Sequence, residues 1–154
     1  MSRIAIAVGA AVVLLAATSV SAADSAKDLV KYRQAVMMSL AGHMAAIEAL
    51  VKHEVPYDNL KDQAKALAAT APVVRNIFPA DSGPSHSSKT HALAKIWRQP
   101  QDFQKKIDAF ETAVTAFAAD VQGGNMSHVM SGLKQVGMSC GGCHHDYRKK
   151  MQRH

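Results

Sequence analysis

Met126, Val129, Leu133, Val136, Cys140, Cys143 and Tyr147 recur at alternating intervals of three and four. No other feature of the sequence restricts the fold as tightly. At about 100° per residue, that spacing draws one continuous stripe along an α-helix. Such a stripe is the face a helix buries. It carries the only two cysteines of the 154-residue chain, and His144 directly follows the second. Whatever CGGCH, residues 140–144, binds is therefore held toward a core.

The preceding segment has the same rhythm. Phe103, Ile107, Phe110, Val114, Phe117 and Val121 predict a helix over residues 99–122. Pro100 suits its first turn, and Gly123-Gly124 stops it. Asn125 can cap the last helix, which is expected to reach about residue 150. Upstream, Leu29, Val36, Met37, Leu40, Met44, Ile47 and Val51 predict a first helix over residues 25–52, ended by Pro56. Ser25 with Asp28 reads as its capping box, and Asp24 is an alternative cap. Leu60, Ala64 and Leu67 mark a second helix over residues 58–70, broken by Pro72, with a short turn on to Ile77. Residues 78–96 hold two prolines, a glycine and several serines and read as a long loop with a turn of helix near Ala92. Strand signals are almost absent. Four striped helices joined mostly by short links predict an all-α fold, an antiparallel four-helix bundle.

The N-terminus is organised differently. Arg3 precedes an uncharged apolar run, residues 4–17, and small residues at 20–23 suit a cleavage site. Residues 1–22 read as a secretory signal peptide, too short in its apolar part to span a bilayer, and residues 23–154 as one exported domain. No other stretch is read as apolar enough to span a bilayer. The formal charge of +6 drops by one when Arg3 is removed. This mild positive charge, without a basic stripe interleaved with aromatics, argues against nucleic acid and favours acidic protein partners.

Three uses of CGGCH compete with a fourth. A closed zinc site needs more ligands than two cysteines and one histidine provide, and the spacing of His86 and His91 does not suggest them. A redox dithiol sits at a helix N-terminus after a strand, whereas this motif ends a helix. A disulfide across three helical residues is strained and leaves His144 without a role. Haem attachment uses every element: Cys140 and Cys143 form thioethers, and His144 ligates the iron.

With the motif in the last helix, the chain resembles the class II cytochromes c, the cytochrome c′ family. Cys143-His144-His145-Asp146-Tyr147-Arg148 is similar to the family's C-H-x-x-Y-R ending. Lys31-Tyr32-Arg33-Gln34, Pro56-Tyr57-Asp58 and Lys95-Ile96-Trp97 are similar to further family segments. The resemblance implies one covalent haem c in a periplasmic protein that is not an enzyme. It also places Met37 over the sixth iron position, as the thioether ligand does in the low-spin c-556 branch, and so implies one-electron transfer to redox partner proteins. The alternative is a five-coordinate iron that binds NO or CO, with Met37 as its cover. Helix lengths bear on this independently. In antiparallel first and last helices, Met37 lies twelve residues from its helix start, roughly 18 Å, and His144 six from its end, roughly 9 Å. Arg33 and Gln34, one turn before Met37, and Arg148, one turn after His144, are candidate neighbours of the haem. Homodimers through the first two helices are also implied.

Overall fold

The computed structural model describes residues 22–56 and 58–150. The leader expected over residues 1–22 falls outside the described residues except for its last residue, and Tyr57, Arg153 and His154 also fall outside them. Four long helices form the bundle: α1 (Ala22–Val51), α2 (Leu60–Thr70), α4 (Pro100–Gly123) and α5 (Met126–Tyr147). Between α2 and α4, the connection contains two 3₁₀ turns, Ala71–Asn76 and Ala80–Ser82, and the short helix α3 (Lys95–Arg98).

The helix stripes become the core. Ile47, Leu67, Phe117 and Val136 are fully buried, with Val30, Val114 and Val129 close behind. Packing runs α1 on α2, α2 on α4 and α4 on α5. The α4–α5 approach is set by Gly132, where an added Cβ would sit 3.1 Å from Asp120 Oδ2 and 3.3 Å from the Phe117 ring. On the fourth side of the square, α1 and α5 hardly approach each other at all. That gap is where the stripe of α5 presents its cysteines.

The ends of the central helices follow the sequence. Gly124 (φ 73°) closes α4, its N–H reaching Asp120 and Val121 carbonyls. The Asn125 side chain accepts from the Ser127 and His128 N–H groups at 3.1 and 3.3 Å and starts α5. The outer ends differ from expectation. Ser25 and Asp24 lie inside α1, so neither serves as its cap. Alanines 22 and 23 have high helix propensity, and buried Ala26 and Val30 anchor the turn that follows. At its far end α1 finishes in a left-handed residue, His53 (φ 56°), with His53 N–H on Leu50 O and Glu54 N–H on Ala49 O. This is a Schellman closure with a histidine in the glycine position.

Helix α5 stops at Tyr147, short of residue 150, because the chain beyond it turns extended to pair with the loop. Ala92 and Arg148 form an antiparallel bridge; Leu93 N–H donates to Tyr147 O (2.9 Å) and Lys149 N–H to His91 O (2.8 Å). These boundaries upset the length arithmetic: Met37 is fifteen residues past Ala22 and His144 three before Tyr147. The start of α1 overhangs the end of α5, so counting from helix ends overstates their separation. One further expectation fails. Residues 25–51 are long and apolar enough, by length and composition, to cross a membrane. Their alanines, leucines and methionines pack α2 and line the gap toward α5.

Candidate functional site

The gap between α1 and α5 holds two cavities, of about 350 and 510 Å³, which share Met37, Ala41, Cys143 and His144. The inner one reaches past Cys140 to Met44, Leu67, Val74 and Phe110. The outer one runs from Arg33 and Gln34 to His91, Tyr147 and Arg148. Its floor is aromatic: Phe103 stands edge-on to Phe78 (4.9 Å) and to Tyr147 (5.0 Å).

Helix periodicity places the reactive groups. Cys140 and Cys143 are half-buried free thiols on the core stripe of α5. Burial raises both thiol pKa values, that of Cys143 to about 11. They are therefore neutral S–H groups, unlike the low-pKa thiol that disulfide exchange requires. No group of three or more His, Cys, Asp or Glu side chains with metal-binding geometry occurs among the described residues, so the pair lacks a closed zinc set. Burial, followed by the charge of Arg148, lowers the pKa of His144, which keeps a neutral imidazole with a free nitrogen lone pair. Two S–H groups, a neutral imidazole and an apolar cleft between separated helices fit a covalently attached macrocycle bearing iron.

Met37, half-buried, faces the same space from α1, whereas Met38 is 74% exposed. Met44 also lines the inner cavity, two turns along α1 from Met37. Arg148 caps α5 through its N–H to His144 O (3.2 Å) and lines the outer cavity. Gln34 lines it too and donates to Lys89 O at 3.3 Å.

Arg33 lines the outer cavity as well, and its guanidinium is held by the loop. It is only 4% exposed, and its terminal nitrogens face the loop. Nη1 donates to Ile77 O (3.2 Å) and Ser82 Oγ (2.8 Å); Nη2 donates to Ser82 O (3.0 Å) and Thr90 Oγ1 (2.7 Å). Its ring neighbour is Phe78, at 4.9 Å. Its four terminal N–H bonds meet four acceptors, all of them neutral oxygens. Sequence reasoning missed Ser82 and Thr90, each at most 1% exposed, because nothing local distinguishes them from the other loop hydroxyls.

Comparisons with known proteins identify a family. A family model described as cytochrome C′ matches residues 28–148. Cytochrome c-556 of Agrobacterium tumefaciens (strain apple 185) is 35% identical over 123 residues, covering 77% of this chain and 92% of that protein. Cytochrome c-554 of Cereibacter sphaeroides is 30% identical over 125 residues, covering 79% and 93%. Among solved structures, a nitric oxide complex of a variant cytochrome c prime from Alcaligenes xylosoxidans superposes with a TM-score of 0.74 at 28% identity, covering 81% of this chain and 97% of that one. With its thiol pair, imidazole and cleft so placed, the chain belongs to the cytochrome c′ family, whose cofactor is covalently attached haem c.

Proposed function

We propose that this chain is a periplasmic one-electron carrier in which Cys140 and Cys143 hold the haem by thioethers while His144 and Met37 supply the two axial iron ligands. The observation that carries this reading is that Met37 and His144, on facing helices, line both cavities of one cleft. When bound, the haem supplies the iron's one-electron couple. The chain's part is to fix the spacing of a thioether and an imidazole, to surround them with Leu40, Leu67, Val74 and Phe110, and to keep His144 neutral. Lys89, Lys95, Arg148 and Lys149 make no ion pair among the described residues. Arg148 lines the outer cavity, Lys89 and Lys149 are tied into the loop seam through their backbone atoms, and Lys95 Nζ stands over the Tyr147 ring. They would steer an acidic redox partner. In this reading residues 1–22 are removed on export. Exposed Tyr32 and Met38 give α1 apolar surface for a homodimer.

A second reading has its own support. The solved structure reported above is a nitric oxide complex, and Leu40, Leu67, Val74, Ile107 and Phe110 make the inner cavity wall mostly apolar. In that reading Met37 covers a five-coordinate iron that takes NO or CO.

Absorption spectra of the holoprotein separate the two. Met37 ligation gives sharp low-spin bands, a weak long-wavelength ferric band from the thioether, and little response to CO. Met37→Ala then removes that band and makes the iron CO-reactive. A wild-type spectrum that is broad, high-spin and CO-responsive puts the gas-binding reading first.

A further inference from the structure

The haem side of the bundle is the side where helix packing is missing. Helices α1 and α5 carry the residues assigned to the iron, yet they hardly touch. The tie between them is a string of hydrogen bonds through the loop. Arg33, one turn before Met37 on α1, donates to Thr90 Oγ1 at 2.7 Å, and Thr90 Oγ1 also accepts from Ala92 N–H at 3.1 Å. Ala92 bridges to Arg148, with Leu93 N–H on Tyr147 O and Lys149 N–H on His91 O. Gln34 adds a parallel tie to Lys89 O. The loop end of this string is itself fixed, because Arg33 also holds Ile77 O and both oxygens of Ser82.

We propose that Arg33 is a positioning residue: through Ser82 and Thr90 it tensions the 77–93 loop as a strap that sets the distance between α1 and the end of α5, and so between Met37 and His144. A buried guanidinium whose four terminal N–H groups are taken by neutral oxygens is expensive to desolvate unless all four are satisfied. That cost makes the clamp all-or-none and suits it to fixing a spacing. Burial lowers the Arg33 pKa, in line with its enclosure. The inference rests on the His144/Met37 assignment for its spectroscopic readout only; the mechanical tie is independent of it.

The test uses the full holoprotein and three variants: Thr90→Val, Ser82→Ala and Arg33→Gln. Thr90→Val and Ser82→Ala break the clamp while keeping the arginine charge, so an effect through charge near the haem is separated from an effect through the strap. Two quantities are read in each. The first is amide hydrogen exchange at Ala92, Leu93 and Lys149 against amides of α4. The second is the intensity of the ferric thioether band and the fraction of low-spin iron. The expected result is seam exchange faster by about tenfold or more in Thr90→Val, with α4 unchanged. A partial loss of the thioether band should accompany it, larger in Arg33→Gln. Faster seam exchange with an unchanged spectrum overturns the proposal and leaves Arg33 as loop ballast. Unchanged seam exchange in Thr90→Val and Ser82→Ala overturns it as well. If wild-type iron proves five-coordinate, the Met37 ligation has failed separately. The strap is then judged by seam exchange together with CO on-rates, and unchanged on-rates in all three variants overturn it.

Discussion

Tyr147 illustrates how much a single residue owes to its surroundings. Its ring is 3% exposed, and its hydroxyl donates to Asp102 Oδ2 at 2.5 Å. Burial first, and then the bond and charge of Asp102, push its pKa up to about 12. A tyrosine whose folded pKa lies above its unfolded value of about 10 contributes stability that is complete below pH 10. That contribution is lost as pH rises through about 12. NMR of ¹³Cζ-labelled tyrosine is therefore expected to show one ring, absent in Tyr147→Phe, that ionises about two units later than an ordinary tyrosine. Asp102→Asn should bring that midpoint down. From the sequence Tyr147 could be placed on the stripe and assigned to the core. Its partner, forty-five positions away on α4, could not be found without the packing.

At the scale of elements, the helix ends carry the sharpest expectations. His53 occupies a left-handed position that favours glycine. His53→Gly should stabilise the protein by about 1 kcal/mol, seen as a rise in urea midpoint at unchanged slope. Asn125→Ala removes the acceptor for two N–H groups at the start of α5 and should cost about 1 kcal/mol. Gly132→Val places a side chain where α4 leaves room for a hydrogen only. It should cost about 1–3 kcal/mol by thermal unfolding. The Asn125 cap and the Gly124 stop were legible because each acts within four residues of itself. The early end of α5 was not, because it depends on pairing with residues 91–93.

For the molecule as a whole, three packed sides and one open side make stability depend on what fills the cleft. A group that binds only the folded chain adds its binding free energy to stability. The double variant Cys140→Ser, Cys143→Ser, purified without attached haem, is expected to melt well below the holoprotein. Hydrogen exchange should show the loss concentrated in α1, while α4 and α5, packed through Phe117 and Gly132, keep their protection. Equal loss across all helices would mean that the cleft is not the weak side.

What the sequence by itself determined are the features written in short-range periodicity. These include the all-α class, the four principal helices, the stripe that turns Cys140 and Cys143 inward, and the CGGCH chemistry beside them. Each follows from the fixed rotation of an α-helix and from covalent spacing along it. The tertiary structure alone decided that α1 and α5 stand apart, that Arg33 spends its donors on Ser82 and Thr90, and that the chain after Tyr147 leaves the helix to hold the loop. Those features join residues some fifty positions apart. Which of several equivalent loop hydroxyls meets a buried guanidinium is settled by the geometry of the closed chain, where all four donors find acceptors at once.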